Sequence, residues 1–197
     1  KEMLSHKKSL NILKKTNALL EGHFVLSSGL HSSKYVQCAK LLSFPFKAEI
    51  ICKSLAKKIK KQFKKIDLIL APAMGGIIIG YEIGRILKKE TIFCERVKGK
   101  FALRRGFDIK KGSKVLIVED VITTGKSSME CLKLIKKAKA FFVGYACIID
   151  RSSNKSLKIK KNIVSHLKID VPTYKSDELP KALKLIPITI PGSRFIK

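Results

Sequence analysis

Residues 115–127 read VLIVEDVITTGKS, and this stretch indicates both the fold and the position of a functional site. Its first four residues are branched and apolar, as is typical of a strand buried on both faces of a parallel sheet. Glu119 and Asp120 follow, and a turn of hydroxyl residues with one glycine then leads into an apolar, helix-like segment at residues 127–138. In open α/β sheets, ligands bind beyond the carboxyl ends of the strands, where N–H groups at the start of the next helix hold anions. The stretch therefore predicts a sugar phosphate site, with carboxylates for ribose hydroxyls and a turn for the phosphate.

Two other interpretations of this stretch have to be weighed. The sequence GKS at residues 125–127 suggests a P-loop, but that motif requires a glycine at position 120, where this chain has Asp120. The alternative is an ordinary strand and capped helix, with Thr123 or Thr124 as the cap. A cap needs only one hydroxyl or carboxylate, whereas residues 119–127 contain two acids, three hydroxyls and a glycine.

The rest of the chain predicts strands that alternate with helices. We expect helices at residues 7–20, 46–63, 127–138 and from the small-residue turn 71–76 to about residue 87, and strands at residues 24–26, 34–37, 66–70, 91–94, 115–118 and 140–149. Residues 95–112 are polar and marked by glycine, which fits a long mobile loop or a hairpin. This order predicts an α/β fold with a central parallel sheet and right-handed crossovers. No repeat or linker interrupts it, so we expect a single domain over residues 1–197 with its core at about residues 45–165.

Composition narrows the class of protein further. A chain of 197 residues can bury a sizeable core. No apolar run approaches the roughly 18 residues of a membrane span, and the first residues lack the apolar centre of a signal peptide. The five cysteines are scattered without a C-x-x-C pair, so we expect buried free thiols in a reducing cytoplasm, with neither disulfides nor a zinc site.

The formal net charge of +27 suggests a nucleic-acid partner, but the residue types do not support one. The 42 basic residues are 36 lysines and six arginines, spread along the whole chain. Base readout favours arginine, and binding of single strands favours interleaved aromatic residues. We therefore expect no specific nucleic-acid partner and attribute the charge to compositional drift toward lysine. Its field would still steer anionic substrates toward the protein.

Residues 115–127 resemble the phosphoribosyl pyrophosphate (PRPP) signature of the type I phosphoribosyltransferases. Four further segments match that family in order: residues 22–35 (GHFVLSSGLHSSKY), 71–80 (APAMGGIIIG), 95–107 (ERVKGKFALRRGF) and 149–151 (IDR). Within the family, the first and last of these segments most resemble the orotate phosphoribosyltransferases. The resemblance implies a sheet core flanked by helices, and a small hood built mainly from residues 1–40 with a contribution from the C-terminal segment.

The activity implied by this resemblance is Mg²⁺-dependent transfer of the 5-phosphoribosyl group from PRPP to orotate. The products would be orotidine 5′-monophosphate and pyrophosphate, a step of pyrimidine biosynthesis. The resemblance also implies a cytoplasmic homodimer in which each flexible loop reaches the neighbouring site. Mg²⁺ is expected to arrive mainly on PRPP and to be held by Glu119 and Asp120 through water.

The same resemblance assigns roles to individual residues. Glu119 and Asp120 would bind the ribose hydroxyls and stabilise the positive charge that builds on the ribose ring, and Thr123 would also contact orotate. Met74 and Gly75 would belong to the pyrophosphate loop, which in this family often contains a non-proline cis peptide; an ordinary strand-to-helix turn is the alternative. The complete PRPP-binding stretch would be Glu119, Asp120, Val121, Ile122, Thr123, Thr124, Gly125, Lys126 and Ser127.

Residues 95–107 resemble the flexible catalytic loop of the family. The basic residues of this segment would clamp the leaving pyrophosphate, and Lys100 is the catalytic candidate among them. They are Arg96, Lys98, Lys100, Arg104 and Arg105. Arginine suits phosphate oxygens because its planar guanidinium can donate two hydrogen bonds at once. The loop departs from the better-known pattern in that it contains no histidine.

Arg151 matches the arginine that pairs with the orotate carboxylate in the resembled family, with a surface salt bridge as the alternative. Residues 26–35 would close over the base. Ser27 stands where many relatives have a lysine, and Leu30 stands where an arginine is frequent, which leaves His31 and Lys34 as nearby substitutes.

Two other functions fit the sequence as well. A phosphoribosyltransferase for a purine or another base would carry the same signature, and only Arg151 and residues 27–34 would distinguish it. A regulator that senses PRPP while binding nucleic acid fits the basic charge, although the intact acidic pair and basic loop argue against it. A steep salt dependence with sequence preference would identify the regulator.

Overall fold

The computed structural model describes residues 3–152 and 162–191. The helices are α1 (His6–Lys15), α2 (Cys38–Leu42), α3 (Pro45–Gln62), α4 (Gly75–Leu87), α5 (Lys126–Lys137) and α6 (Lys181–Lys184). The strands are β1 (Leu19–Val25), β2 (His31–Val36), β3 (Leu68–Pro72), β4 (Glu90–Val97), β5 (Lys100–Leu103), β6 (Lys114–Ile122), β7 (Phe141–Asp150), β8 (Ile163–Lys168), β9 (Thr173–Tyr174) and β10 (Ile188–Thr189).

The core sheet has the strand order β5-β4-β3-β6-β7-β8. Strands β4, β3, β6, β7 and β8 are parallel to one another, and β5 alone runs antiparallel, as the second strand of a hairpin with β4. The α/β class with a central parallel sheet is therefore confirmed. Of the polar segment 95–112, residues 95–103 belong to the β4–β5 hairpin, and residues 104–112 form turns and irregular structure.

Strand β6 lies inside the sheet between β3 and β7, as its apolar run predicts. Leu116 and Val118 pack into the cluster that contains α3 and α4, whereas Val115 and Ile117 pack into the cluster that contains α5. Side chains of a strand alternate between its faces. Four consecutive apolar residues therefore pack against the helices on both faces of the sheet. This packing fixes the end of β6 in place.

A second sheet, with the order β10-β1-β2-β9, forms the hood. It combines two N-terminal strands with two short strands from the C-terminal part of the chain. The prediction of a helix over residues 7–20 was wrong at its end, because Asn17 adopts a positive φ of 58° and the chain then enters β1. A left-handed residue ends an α-helix. Strand β8 was not predicted, since residues 150–197 had no regular pattern.

The limits of the domain stay a prediction, and residues 153–161 of the expected core lie outside the described residues. All five cysteines are free and buried, as predicted. Within the described parts of the chain, no helix is long and apolar enough to cross a membrane.

Candidate active site

The turn between β6 and α5 forms a cradle of main-chain N–H groups at the C-terminal edge of the sheet. Gly125, with a φ of 74°, is the N-cap of α5, so neither Thr123 nor Thr124 occupies the capping position. The nearest hydroxyl contact is weak, with Thr124 Oγ1 3.4 Å from the N–H of Lys126. The first N–H groups of a helix have no partner within it. The turn therefore offers N–H groups and two exposed threonines to an anion.

The acidic pair lies directly before this turn. Glu119 is only 8% exposed, and its Oε1 accepts a hydrogen bond of 2.9 Å from Ser128 Oγ. Burial raises the pKa of Glu119 to about 7, although the hydrogen bond from Ser128 opposes this rise. Burial also raises the pKa of Asp120, whose Oδ1 accepts from the N–H of Val121 at 2.8 Å. A cationic or hydroxyl-bearing ligand would therefore stabilise the charged form of both carboxylates.

The turn between β3 and α4 closes against the acidic pair. A Cβ atom placed on Gly75 would lie 2.7 Å from Asp120 Oδ2 and 2.8 Å from Oδ1. The Ala73–Met74 peptide is cis, as the family resemblance led us to expect, and Met74 is 84% exposed. The two turns that the sequence assigns to pyrophosphate and to PRPP are therefore brought together at one carboxylate.

Arg151 follows β7 on the neighbouring strand end. Its main-chain N–H donates to the carbonyl of Ile122 at 2.9 Å, which holds it beside the phosphate turn. Its Nε is buried and has no hydrogen-bond partner among the described residues, and no ion pair of those residues includes it. The nearby Asp150 Oδ1 is taken by the N–H and hydroxyl of Ser152. The surface salt bridge considered for Arg151 is therefore not formed in the described parts of the chain.

The basic residues of the β4–β5 hairpin do not join the acidic pair of their own chain. Arg96 pairs with Glu130 of α5 at 2.8 Å, and its guanidinium carbon lies 4.2 Å from the centre of the Phe101 ring. Lys98 and Gly99 form the tight turn, and Lys100 lies in a groove against α5.

The two other arginines of this segment are also engaged. Arg104 and Arg105 both pair with Glu95, at 3.1 and 2.7 Å. No hydrogen bond or ion pair within the described residues links the basic side chains of the hairpin to Glu119 or Asp120.

In the hood, His31 and Lys34 were candidates from the sequence, whereas Tyr35 was not. His31 is engaged with His23, whose Nε2 lies 2.7 Å from His31 Nδ1, and Lys34 donates to the carbonyl of Asp170 at 3.3 Å. These contacts leave donors of Lys34 and one ring nitrogen of His31 unassigned, so a role of either side chain at the base stays a prediction. Burial lowers the pKa of the Arg151 guanidinium, and the Tyr35 phenol opposes this effect.

The sequence analysis missed Ser128 and Tyr35 for different reasons. Ser128 lies one residue beyond the PRPP signature of residues 115–127, so extending the candidate segment into the following helix would have included it. Tyr35 carried no signal, because an aromatic residue in a strand is most often part of the core.

Comparison with known proteins identifies the class that this site defines. Residues 46–176 match the family described as phosphoribosyl transferase domain, so the protein is a phosphoribosyltransferase. Similarity over nearly the whole chain then narrows the class to one family of phosphoribosyltransferases. It is 46% identical over 194 residues to the orotate phosphoribosyltransferase of Parvibaculum lavamentivorans, which covers 98% of this chain and 100% of that protein. It is 47% identical over 188 residues to that of Caldicellulosiruptor saccharolyticus, with coverages of 95% and 97%. The chain belongs to the orotate phosphoribosyltransferase family.

A solved structure supports the fold. The crystal structure of orotate phosphoribosyltransferase from Aeropyrum pernix superposes with a TM-score of 0.66 at 23% identity, over 81% of this chain and 92% of that one. At this level of identity the likeness concerns the fold alone, and it confirms the phosphoribosyltransferase fold expected from the sequence.

Proposed function

We propose that this protein transfers the 5-phosphoribosyl group of PRPP to orotate, giving orotidine 5′-monophosphate and pyrophosphate in pyrimidine synthesis. The observation that carries the proposal is the arrangement of two neighbouring strand ends. The acidic pair lies in the last residues of β6 with the phosphate turn after it, and Arg151 follows β7 with its Nε buried and free of protein partners among the described residues. A sugar phosphate and a carboxylated base would therefore meet at this edge.

PRPP would be held by three parts of the site. The N–H groups and hydroxyls of residues 123–127 suit the 5′-phosphate, and the turn at residues 73–75 suits the pyrophosphate. Glu119 and Asp120 would accept the 2′- and 3′-hydroxyls of the ribose. The bond from the anomeric carbon to the pyrophosphate oxygen breaks as the ribose ring gains positive charge. Because the carboxylates attract this charge more strongly in the transition state than in the ground state, they accelerate the reaction.

Orotate would bind with its carboxylate on Arg151. A guanidinium can donate two parallel hydrogen bonds to a carboxylate, which fixes the orientation of the ring as well as its position. A ring nitrogen then forms the new bond to the anomeric carbon and loses its proton, while pyrophosphate leaves with the electrons of the broken bond. No side chain of the protein forms a covalent intermediate in this scheme.

The acidic pair fits the Mg²⁺ that PRPP would bring. Glu119 Oε1 and Asp120 Oδ1 are used by hydrogen bonds, and no described protein donor is assigned to the second oxygen of either carboxylate. Mg²⁺ prefers oxygen ligands and retains several waters, so one or two carboxylates with substrate phosphates are sufficient. No cluster of three or more acidic, histidine or cysteine ligands exists among the described residues. Bound Mg²⁺ would neutralise charge on the leaving pyrophosphate.

A homodimer would explain the position of the hairpin. Arg96, Lys98 and Lys100 make no hydrogen bond or ion pair with the acidic pair of their own chain among the described residues, and in a dimer they would serve the site of a second copy. The outer surfaces of α3 and α4 expose Phe46, Ile50, Ile78 and Tyr81, around an Arg85–Glu49 ion pair of 2.8 Å. Such a patch is typical of protein interfaces. Light scattering tests this proposal, and a particle with the mass of one chain would contradict it.

We also propose that the protein works in the cytoplasm. Its five buried free thiols suit a reducing compartment. Cell fractionation tests this, and recovery outside the cytoplasm would contradict it.

A panel of bases tests the reaction. Purified protein with PRPP and Mg²⁺ is incubated separately with orotate, uracil, adenine, hypoxanthine and xanthine, and pyrophosphate release is measured. We expect turnover with orotate alone. Turnover with a purine instead would keep the PRPP site and refute the assignment of Arg151. PRPP binding without turnover of any base would refute the enzymatic function.

A further inference from the structure

The parallel strands of the core sheet begin at the edge opposite the acidic pair. The N–H of Asp67, just before β3, donates to the carbonyl of Lys114 in β6 at 2.8 Å. The N–H of Gly112, just before β6, donates to the carbonyl of Lys139, just before β7, at 3.0 Å. The segments that lead into β3, β6 and β7 are therefore neighbours along one edge of the sheet.

Lysines are concentrated along this edge. Exposed lysines precede or begin each of the strands β3, β4, β6 and β7, and we call them together the lysine edge: Lys64, Lys65, Lys88, Lys89, Lys110, Lys111, Lys114 and Lys139. The acidic residues of the same segments are Asp67, Glu90 and Asp108, and the Asp67 carboxylate accepts from the N–H of Lys114 at 2.9 Å. No ion pair of the described residues includes a lysine of this edge. The edge therefore carries uncompensated positive charge.

The position of these lysines has only a partial explanation in helix stability. Lysines near the C-terminal end of a helix interact favourably with the helix dipole, and Lys64, Lys65 and Lys89, which line one cleft between the ends of α3 and α4, are in such positions. Lys110 and Lys111 follow no helix, because the segment before β6 comes from the β4–β5 hairpin. The collection of lysines at this edge is therefore a property of the surface as a whole.

One aromatic ring lies within the lysine edge. Phe141 is the first residue of β7, pairs in register with Lys114, and is 62% exposed. Its main-chain N–H donates to the carbonyl of Ser113 at 2.8 Å. The main chain is thus fixed between the lysines, whereas most of the ring surface is accessible to a ligand.

The chemistry of this surface fits a single-stranded nucleic acid. Lysine binds phosphate as a point charge, and phosphate contacts read no sequence. An exposed aromatic ring stacks on any base. A membrane fits less well, because elements that bind membrane surfaces are amphipathic helices lying flat, and α3, α4 and α5 reach this edge with their C-terminal ends. A protein partner also fits less well, since lysine is depleted at protein–protein interfaces.

We infer that the lysine edge binds the backbone of single-stranded nucleic acid without sequence preference, with Phe141 stacking on a base. This surface is separate from the proposed active site. Lys114 and Glu119 lie near the two ends of β6, about 17 Å apart along the strand. Nucleic acid and PRPP can therefore be bound at the same time.

The test measures fluorescence anisotropy of labelled RNA of about 12 nucleotides, within the usual size of a single-strand site. The edge variant combines Lys89→Gln, Lys114→Gln and Lys139→Gln. The control variant removes the same charge from α1 and α6 by Lys7→Gln, Lys15→Gln and Lys184→Gln, all of them exposed. We expect the edge variant to bind RNA about 10-fold or more weakly at about 50 mM salt. Its salt slope should be shallower by about 2, because each lost phosphate contact removes about 0.7. The control variant should bind within about twofold of the unmodified protein, and turnover with orotate should be unchanged in both.

A third variant, Phe141→Leu, tests the stacking contact. It should weaken RNA binding about 5-fold or more and leave the salt slope unchanged, because the ring carries no charge. Saturating PRPP and Mg²⁺ should leave RNA binding unchanged.

Several results would overturn the inference while the enzymatic function stands. Equal losses in the edge and control variants would show that only the general charge of the chain attracts RNA. Competition by PRPP would place the RNA in the active site. An unaltered affinity in Phe141→Leu would refute the stacking contact and the preference for single strands. Absence of RNA binding, with or without binding to vesicles of anionic lipid, would refute a nucleic-acid partner.

Discussion

Replacement of Gly75 by alanine should separate binding of PRPP from stability of the fold. The added Cβ would lie 2.7–2.9 Å from three atoms of the Asp120 carboxylate, so that carboxylate must move. Its movement breaks the 2.8 Å hydrogen bond from the N–H of Val121. PRPP needs Asp120 in its original position, and the free energy required to restore that position is subtracted from the binding energy.

The size of the effect follows from these contacts. A hydrogen bond to a charged group contributes about 1.5–3 kcal/mol, and a side chain forced off its rotamer costs about 0.5–1.5 kcal/mol. The combined loss of about 2–4 kcal/mol weakens PRPP binding by about 30- to 1,000-fold. The free fold loses the same hydrogen bond, so its stability falls by at most about 1.5–3 kcal/mol, the contribution of that one contact, and alanine at Gly75, the first residue of α4, offsets part of this loss.

Gly80→Ala is the matched control in the same helix. Its Cβ would lie 2.7 Å from the Cβ of Ala71, an apolar overlap that leaves Asp120 untouched. Overpacking of this kind costs about 1–3 kcal/mol of stability. Urea unfolding should show both variants to be less stable, whereas calorimetric titration with PRPP and Mg²⁺ should show weaker binding for Gly75→Ala alone. If Gly75→Ala binds PRPP like the unmodified protein, or if Gly80→Ala loses PRPP equally, the reasoning is refuted.

Two further predictions concern the acidic pair. Glu119→Gln should stabilise the free protein as pH rises: burial raises the pKa of Glu119 to about 7 in the folded state, so ionisation above the unfolded value of 4.5 opposes folding. The gain in unfolding free energy should grow from near zero at about pH 4 to about 3 kcal/mol at about pH 8; urea unfolding across this range would contradict the account if the gain were constant. Ser128→Ala removes the hydrogen bond that Glu119 accepts, so the pH midpoint for PRPP binding should rise by about 1–2, and an unchanged midpoint would show that Ser128 does not act on Glu119.

The part of the fold that could be predicted is the part determined by local pattern. Four consecutive apolar residues identified β6, and the alternation of strands and helices then indicated a parallel sheet. The acidic pair and the phosphate turn follow from that strand, because ligand sites lie beyond the carboxyl ends of parallel strands. The turn at residues 71–76 was recognised in the same way, but its contact with Asp120 depends on how α4 packs.

Other parts depend on pairing between distant segments, which no local pattern reveals. Strands β9 and β10 have two residues each and exist because β2 and β1 provide partners. The partners of the basic loop depend on hairpin register: Arg96 is paired with Phe101 and therefore lies beside α5. The pairs that form β9 and β10 join residues more than a hundred positions apart in sequence.

The most direct test of the account is Arg151→Ala, measured against both substrates. In the proposed site, PRPP lies at the ends of β3 and β6 and the base at the end of β7. We therefore expect kcat/KM for orotate to fall about 100-fold or more, since a charge-assisted pair of hydrogen bonds is lost. The Kd for PRPP should stay within about twofold. Equal losses for orotate and PRPP, or an unchanged rate with orotate, would contradict this division of the site.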